Sequence, residues 1–599
     1  MRFSLVFKMI RNFAVMNKIF LSTLICFLLS ANIFAQYGSV LAKGNWYKIA
    51  TNKTGVYKLT YSSLESLGLS VSNLQISDIK LYGNGGGMLP KLNSDFRYDD
   101  LVENAIKIHD SNSNGIFESS DYILFYGESP HNWNYNASSG LFKHEMHLFS
   151  DEVNYFLTVD NQEVGDRIES KQLFQNATKT ISSFNAFSFH ESELENLIHS
   201  GKEWFGERFD IQKNQSFDFN FPNLVQSSPV SIKTAVVARS FVSSSFVIKA
   251  NSNQISTINV SNVVITYATE YAKTASQTTN YNASSSNISI NVEYSSADNG
   301  ALAWLNYIEI NARRGLKMSG NSLSFRDVSS LGNEVGTFEL SNANSGITVW
   351  DVTDPTSVVE MQTTLSGSVL SFNDSLNELH EHIAFNSSAY LTPTLKGSVK
   401  NQNLHNTPSN VEYVIISHPN FLVPAERLAN FHTEKDNLKS VIVTPQQIYN
   451  EFSSGIQDVS AIRDFLRMLY KRPYSKLKYV LLFGDGSYDP KDRVAENTNF
   501  IPTYQSLNST HPTQSYVTDD YFGLLDDNEG LFNNDLVDIG VGRFPASTLS
   551  QANTLVDKVE RYYTKESFGS WRNNIAFVAD DGDANDGNTH MWQADSLAN

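Results

Sequence analysis

Cysteine is nearly absent from this sequence, whose 599 residues include a single one, Cys26. One cysteine excludes an intrachain disulfide and any zinc site built from several thiolates. Because Cys26 lies in a segment with the pattern of an export signal, we expect the mature polypeptide to have no thiol at all. Its stability must then come from packed cores and from any bound ions.

Positive charge is also scarce. Lys and Arg number 45 against 63 Asp and Glu, which gives a net charge of -18. A protein that binds nucleic acid without sequence specificity needs a basic face to contact the phosphates. This excess of acidic residues therefore argues against a nucleic-acid partner. Aromatic residues make up 12% of the chain, which together with many Ser, Thr and Asn residues favours extensive β-structure with polar loops.

The sequence has no long apolar run. A short one, Ile19–Leu29, lies near the start. This run is too short to cross a bilayer of ~30 Å as a helix, but it suits the apolar core of a signal peptide. Basic residues precede it, and Ala31 to Ala35 offer small residues before Gln36. We therefore predict a signal peptide over residues 1–35 and an exported protein.

The first two-thirds of the mature chain is predicted to be β-rich. Trp46–Ala50 and Gly55–Leu59 alternate apolar and polar residues around a polar turn, which predicts a hairpin in a small domain over 36–130. Short alternating runs between turn residues continue through 131–400, the pattern of a β-sandwich. We interpret this second region as a binding or spacer module.

A twelve-residue loop in the first domain has the spacing of a calcium site. Oxygen-bearing side chains fall at positions 1, 3, 5, 9 and 12, a backbone carbonyl is available at position 7, and Gly115 stands at position 6. The predicted ligands are Asp110, Asn112, Asn114, Ile116, Glu118 and Asp121. Calcium would have a structural role here, and the alternative is a polar turn without metal.

A second candidate for a metal is His380-Glu-His382, which would place both imidazoles on one face of a strand. The interpretation that we favour for these residues is a solvated charged edge.

After a polar linker at 401–410, the periodicity changes to alternating strands and helices. Val411–Ser417, Lys439–Thr444, Tyr479–Gly484 and Leu536–Val541 are predicted strands, and Asn574–Ala579 opens one more. Helices are predicted at Val423–Lys435, after the capping residue Asp458, and along Ala552–Tyr562. This order predicts an α/β domain over 411–599 with a mainly parallel sheet.

The strand Tyr479–Gly484 ends in the turn Gly484-Asp-Gly-Ser487. Open α/β sheets keep their sites at the carboxyl ends of their strands, so this turn marks a candidate active-site crevice. Asp485 and Asp489 flank it, and the interpretation that we favour is that they cap the turn's N–H groups. The alternatives are that they orient the site from behind or, less favoured, that they act directly in catalysis.

Four segments then follow in order: Tyr479-Val-Leu-Leu-Phe-Gly-Asp-Gly-Ser-Tyr-Asp489, Ile501-Pro-Thr-Tyr504, Thr518-Asp-Asp-Tyr521 and Asp538-Ile-Gly-Val-Gly-Arg-Phe-Pro545. In these segments the sequence resembles the gingipain family of cysteine peptidases, and most of all the sortases of the type IX secretion system. The resemblance implies a caspase-like α/β fold and an endopeptidase that removes the C-terminal signal of exported cargo and attaches the cargo to the cell surface. It also implies two kinds of partner, cargo proteins with C-terminal signal domains and other outer-membrane components of the secretion system, and a location at the outer membrane or cell surface.

The family's catalytic His and Cys come after the strand that begins at Asn574, and the sequence up to Asn599 has neither. We therefore expect these 599 residues to be an incomplete peptidase domain that is inactive alone, since a thiolate activated by a His is the chemistry required. The resemblance places His590 where gingipains carry a pocket acid, so specificity for Arg or Lys should not be transferred. Asp581, Asp583 and Asn585 form a weaker calcium candidate, for which a solvated acidic loop is the alternative.

Two other functions stay open from the sequence. The first is a non-catalytic surface module that keeps a peptidase scaffold for binding. The second is an unrelated hydrolase, which is disfavoured because the chain has no Gly-x-Ser-x-Gly nucleophile elbow.

Overall fold

The computed structural model describes residues 38–172, 174–264, 269–332, 334–531, 535–582 and 587–599. The predicted signal peptide with Cys26 therefore lies outside the described residues. The first elements are β1 (Trp46–Thr51), β2 (Gly55–Thr60), α1 (Tyr61–Leu67), β3 (Ile79–Tyr82), β4 (Glu103–Asn104), β5 (Lys107–His109), β6 (Tyr122–Gly127), β7 (Asn132–Asn136), β8 (Leu141–Glu145) and β9 (Val153–Val159).

The two strands predicted as a hairpin both form, but they do not pair with each other. β1 lies between β9 and the strand Thr394–Val399, whereas β2 pairs with β6 in a second sheet. Both edges of β1 are therefore occupied, which leaves no hydrogen-bonding edge for β2. The hairpin prediction is wrong because the alternating pattern identifies strands but not their partners.

The sheet that contains β1 also crosses the predicted domain boundary at residue 130. Its strand order is Thr394–Val399, β1, β9, β3, β4, so it draws strands from both sides of residue 130 and from the segment just before residue 400. The segments 36–130 and 131–400 are therefore interwoven rather than successive units.

The middle of the chain is an all-β region. Its strands are β10 (Ser170–Lys171), β11 (Lys179–Ile181), β12 (Ser183–Glu191), β13 (Asn214–Asn220), β14 (Val230–Arg239), β15 (Ser244–Ala250), β16 (Asn253–Val260), β17 (Lys273–Tyr281), β18 (Asn287–Ser296), β19 (Leu302–Gly315), β20 (Ser322–Phe325), β21 (Val335–Ser341), β22 (Thr348–Asp351), β23 (Val359–Met361), β24 (Thr364–Ser366), β25 (Val369–Ser375), β26 (His382–Phe385) and β27 (Thr394–Val399).

Two four-stranded antiparallel sheets, β12-β19-β14-β17 and β13-β18-β15-β16, form the predicted sandwich. Two further sheets, β11-β21-β25-β24 and β10-β23-β22-β26-β20, extend it. One continuous apolar core, which includes Phe246, Ile290 and Phe338, joins residues of all four sheets. Alternating burial along β15 and β18 shows why the period-two pattern was visible in the sequence.

The last third of the chain is the predicted α/β unit. Its elements are β28 (Tyr413–Ser417), α2 (Leu422–Asp436), β29 (Ser440–Val443), α3 (Pro445–Phe452), α4 (Val459–Lys471), β30 (Tyr479–Phe483), β31 (Tyr504–Gln505), β32 (Val517–Thr518), β33 (Gly540–Phe544), α5 (Leu549–Tyr562) and α6 (Thr589–Ala598). The sheet has the order β29-β28-β30-β33, and all of its strands are parallel.

Helices cover both faces of this sheet, as expected for a parallel sheet. The core on one face contains residues of α3 and α4, and the core on the other face contains residues of α2 and α5. Asp458 caps α4 as predicted, with its carboxylate accepting the N–H of Ser460 at 2.7 Å.

Two strand predictions in this unit need correction. The strand predicted at Leu536–Val541 begins later, because Gly540 is the residue that pairs with Tyr479 and the ladder runs on to Phe544. The segment Asn574–Ala579 does not form a strand: Ile575 and Val578 are 83% and 94% exposed. Its apolar pattern is that of a strand, but it has no ladder partner among the described residues.

The predicted linker at 401–410 is tightly packed. Leu404 and His405 are buried, and Glu451 of α3 accepts hydrogen bonds from both of their backbone N–H groups. Within the described ranges, no helix is long and apolar enough to cross a membrane.

Candidate active site

The turn after β30 lies at the carboxyl edge of the parallel sheet, as the sequence predicts. Its first residue, Gly484, is buried, and a Cβ at this position would lie 2.9 Å from Cγ1 of Ile501 and 3.1 Å from Cβ of Phe500. Any larger residue would push the 500–501 segment away from the strand end. Glycine is therefore required here by close approach.

Asp485 and Asp489 both stabilise the loop that follows. Asp485 accepts a hydrogen bond from the hydroxyl of Thr498 at 2.8 Å and from the N–H of Gly486 at 3.0 Å. Asp489 is fully buried, and its carboxylate accepts the N–H of Val494 at 2.7 Å and a bond from the Arg493 guanidinium at 3.0 Å. Both carboxylates thus shape the loop, which fits a positioning role better than a direct one.

The same loop is held against the β-sandwich. The ring of Tyr488 stacks between His199 at 5.0 Å and Trp204 at 5.8 Å. Arg493 lies over Trp204 at 4.3 Å and pairs with Glu193 at 2.7 Å. The segment that follows β12 of the sandwich is therefore packed against this loop, so the sandwich is not a detached spacer.

Arg543, at the end of β33, is the organising residue that our sequence reasoning missed. Its guanidinium donates two hydrogen bonds to Asp519, at 2.7 Å and 2.8 Å. It also donates to the carbonyls of Gly484 and Ile501, both at 2.9 Å, and to that of Pro502 at 3.2 Å. One side chain thus joins the four segments that carry the family resemblance. The signal was present in the Gly-Arg-Phe-Pro motif, but the partners are remote in sequence.

His418 is a second residue that the sequence did not single out. It follows β28 directly, so it sits at the same sheet edge, and its backbone N–H donates to the Phe483 carbonyl at 3.1 Å. Its ring stacks on Phe500 at 4.2 Å, and burial lowers the pKa of His418 below its usual value. At neutral pH this imidazole is therefore uncharged, and its Nδ1 accepts the N–H of Asn420 at 3.4 Å.

Two of the remaining predicted site residues, His590 and Asp581, lie in the described part of the chain after α5. His590 is exposed on α6, a helix without a buried residue. Asp581 is exposed, and its N–H donates to Asp580 at 3.0 Å. Asp583 and Asn585 lie outside the described residues. Both the pocket assignment of His590 and this weaker calcium candidate stay predictions.

The calcium-type loop is held together by hydrogen bonds from its own side chains to its backbone. The two carboxylate oxygens of Asp110 accept N–H groups of Ser113 and Gly115, at 2.8 Å and 2.9 Å. Asp121, at position 12 of the loop, accepts the N–H of Ser111 at position 2, at 2.9 Å. Gly115 has a φ of +78°, the left-handed conformation that favours glycine at position 6. The oxygen donors fit a hard cation such as calcium.

The His380–His382 pair is not a solvated edge, which corrects our interpretation. His382 is fully buried and bonds Asp374 at 3.0 Å, while His380 bonds Asp351 at 3.1 Å. Lys171 bridges the two carboxylates at 2.8 Å and 2.9 Å, in the place that a metal would take. Burial alone would raise the pKa of Asp351, but its hydrogen bonds to His380 and Lys171 hold that pKa well below the usual range. The cluster is already neutralised, so it does not fit a metal site.

Comparisons with known proteins agree with this architecture. Residues 406–599 match the sequence profile of peptidase family C25. The crystal structure of dimeric latent PorU from Porphyromonas gingivalis is similar over 91% of this chain, with 26% sequence identity and a TM-score of 0.77. That match covers 52% of the PorU chain, so the present chain spans about half the length of this relative.

A xylanase CBM36-1 domain from the hindgut metagenome of Trinervitermes trinervoides matches 21% of this chain and 96% of its own, at 12% identity and a TM-score of 0.15, a likeness too weak to bear on the fold. No curated protein matches the sequence. The gingipain-type resemblance and the multidomain fold class, with β-rich regions before a parallel α/β unit, are confirmed.

Proposed function

Because residues 406–599 are a peptidase family C25 region within a PorU-like chain, we propose that the protein works as a sortase-like cysteine endopeptidase of the type IX secretion system. Such enzymes remove the C-terminal signal of exported cargo and link the cargo to the cell surface. The proposed location is the outer membrane or cell surface, and the proposed partners are the cargo proteins and the outer-membrane components of the secretion machinery.

One observation supports this proposal above the others. Arg543 draws Gly484, Ile501 and Asp519, one residue from each of the other three gingipain-like segments, to the carboxyl edge of the sheet. A scaffold kept only for its fold would not need these loops fixed at the one edge where parallel sheets carry their sites.

Thiol chemistry is the part that these 599 residues do not supply. Their single cysteine, Cys26, belongs to the predicted signal peptide. We expect the purified mature chain, 36–599, to show no thiol-dependent cleavage, because a protonatable side chain such as His418 cannot act without a nucleophile. Peptide cleavage that iodoacetamide abolishes would contradict this expectation.

We also propose calcium as a structural cofactor, held by Asp110, Asn112, Asn114, Ile116, Glu118 and Asp121. The bound ion would supply the positive charge that draws these oxygens together. The loop's own residues hold its backbone in place, since Asp110 and Asp121 accept backbone N–H groups near its two ends.

Deletion of the gene in the cell that encodes it tests the sortase function. We expect exported proteins to keep their C-terminal signal domains, which intact-mass analysis of the surface fraction would reveal. Reintroduction of the unaltered gene should restore cleavage. If cargo C-termini are cut normally in the deletion strain, the sortase proposal is wrong, and the alternative of a non-catalytic binding module gains support.

A further inference from the structure

A cavity of about 530 Å³ lies where the three regions of the chain meet, and we call it the junction cavity. Leu89 and its neighbours in the first region form one side, Phe149 and Lys202 another, and Ser460, Tyr504 and Tyr521 of the α/β unit the third. Most of these side chains are apolar or aromatic. The cavity is thus a mainly apolar space whose walls come from distant parts of the sequence.

Lys202 is the buried basic residue of its lining. The residue is 8% exposed, and its Nζ lies 3.9 Å from the centroid of the Tyr504 ring. No carboxylate of the described residues lies within 4.0 Å of this nitrogen. Burial, with a smaller contribution from Lys91, lowers the pKa of Lys202 to about 7. A buried ammonium whose close contact is an aromatic face, with no carboxylate within 4.0 Å, is costly, and an anion entering the cavity would relieve that cost.

The aromatic partner of Lys202 is itself rigidly held. The Tyr504 ring stacks on Tyr521, with the ring centroids 4.6 Å apart. The guanidinium of Arg463, which is fully buried, covers Tyr521 at 4.3 Å. The amine is therefore presented on a preformed surface, which reduces the entropy lost when a ligand binds.

None of the acidic residues that line the cavity forms a direct ion pair with Lys202, and Asp458 acts on its ammonium only from beyond 4.0 Å. Asp458 accepts the N–H groups of Leu89 and Ser460, at 2.9 Å and 2.7 Å, and burial raises its pKa to about 6. Asp95 and Glu145 line the same cavity, but both are exposed, so water screens them. Among the described residues, the ammonium of Lys202 is therefore left without a carboxylate in direct contact.

We propose that the junction cavity binds a small organic monocarboxylate with an apolar or aromatic body. The carboxylate pairs with the Nζ of Lys202, and the body packs against Leu89 and Phe149. This assignment goes beyond the proposed peptidase function and does not depend on it.

A pair of probes that differ only in charge tests the site: 3-phenylpropionate and 3-phenylpropanamide. Their binding to the mature chain, 36–599, is followed at pH 6.5 by saturation-transfer NMR and titration. We expect the acid to bind at least about tenfold more tightly than the amide, because an ion pair formed in an apolar cavity is poorly screened. Equal binding of acid and amide, or binding of neither, would overturn the proposal.

Two variants localise the effect. Lys202→Met keeps the length and apolar stem of the side chain and should remove the preference for the acid. Lys91→Met, which removes an exposed lysine that lines the same cavity, should keep that preference. If Lys202→Met retains the preference, or Lys91→Met loses it, the anion does not bind at Lys202. Should Lys202→Met fail to fold, the acid and amide comparison on the unaltered chain still decides the matter.

Discussion

Arg543 and Asp519 form a two-point ion pair, with 2.7 Å and 2.8 Å between nitrogen and oxygen, across the carboxyl edge of the parallel sheet. Both side chains are largely shielded from solvent, at 14% and 23% exposure. The remaining guanidinium hydrogens go to backbone carbonyls of the two neighbouring loops. The pair therefore fixes the position of those loops relative to the sheet.

Replacement of Arg543 should destabilise the loops at the carboxyl edge of the parallel sheet. Arg543→Met leaves Asp519 and three loop carbonyls without their donor, and we expect a loss of about 3 kcal/mol in the free energy of unfolding. Arg543→Lys should recover little of this lost stability, since an ammonium cannot reproduce the planar set of N–H donors of a guanidinium. Urea denaturation monitored by tryptophan fluorescence measures both.

The matched control is Arg427→Met on α2, which removes the more exposed ion pairs with Asp557 and Glu560. Its cost should stay below about 1 kcal/mol. A cost for Arg543→Met no greater than that of the control would show that Arg543 does not organise the site.

His405 should make stability depend on pH in the alkaline range. Burial alone would lower the pKa of His405, but its contacts with Asp99 and Glu451 raise it to about 10. The folded state therefore binds a proton that the unfolded state releases above about pH 6.5, and this stabilisation is lost as the pH rises toward 10.

The variant His405→Asn isolates that contribution. Lys48 and Lys202, whose burial lowers their pKa, act in the opposite direction, so the readout is the difference between the two proteins. We expect the gap between their urea midpoints to shrink from pH 6.5 to pH 10. A gap that is constant over this range would mean that His405 is uncharged in the folded protein.

Calcium should raise the melting temperature of the mature chain, and EDTA should reverse the rise. A ligand present at about 100 times its Kd adds roughly 2.7 kcal/mol to the folded state. Asp110→Asn, which removes one carboxylate from the loop, should weaken the effect. Asp298→Asn is the control, because Asp298 also accepts two loop N–H groups, yet it lies outside the calcium-type loop. Identical melting curves with calcium and with EDTA would exclude the site.

The exposed apolar residues Ile575 and Val578 should promote self-association. β33 ends the described sheet, and the exposed apolar residues Ile575 and Val578 lie in the chain after α5. Ile575→Lys with Val578→Lys should lower the aggregation of the mature chain in light scattering, because charge disfavours edge-to-edge pairing. Val423→Lys, at a residue that is 75% exposed on α2, should have little effect. Equal aggregation of all three proteins would assign the association to another surface.

Local patterns predicted the α/β unit well. The helix at Leu422–Asp436, the cap at Asp458 and the buried strand before Gly484 all follow from spacing within a dozen or so residues. These features depend on neighbours along the chain, which a sequence displays directly.

The sequence could not show which distant residues contact each other. Trp46–Thr51 looks like half of a hairpin, but it pairs with strands that begin at Val153 and Thr394. The role of Arg543 depends on carbonyls from two other loops. In the sequence Lys202 has no feature that distinguishes it from other loop lysines. Only the fold places its ammonium over the ring of Tyr504, which stacks on Tyr521. In each case the deciding contact is made by residues that only the fold brings together.

The pairing of β1 with β27 also constrains how the protein is made. Residues near position 50 hydrogen-bond with residues near position 395, so the first sheet cannot close until almost 400 residues have been synthesised. At roughly 5–20 residues per second, the ribosome needs ~20–70 s to supply the missing strand. During that interval the edge of β1 that pairs with β27 has no partner. An export route that keeps the nascent chain unfolded would prevent this edge from pairing with a wrong strand.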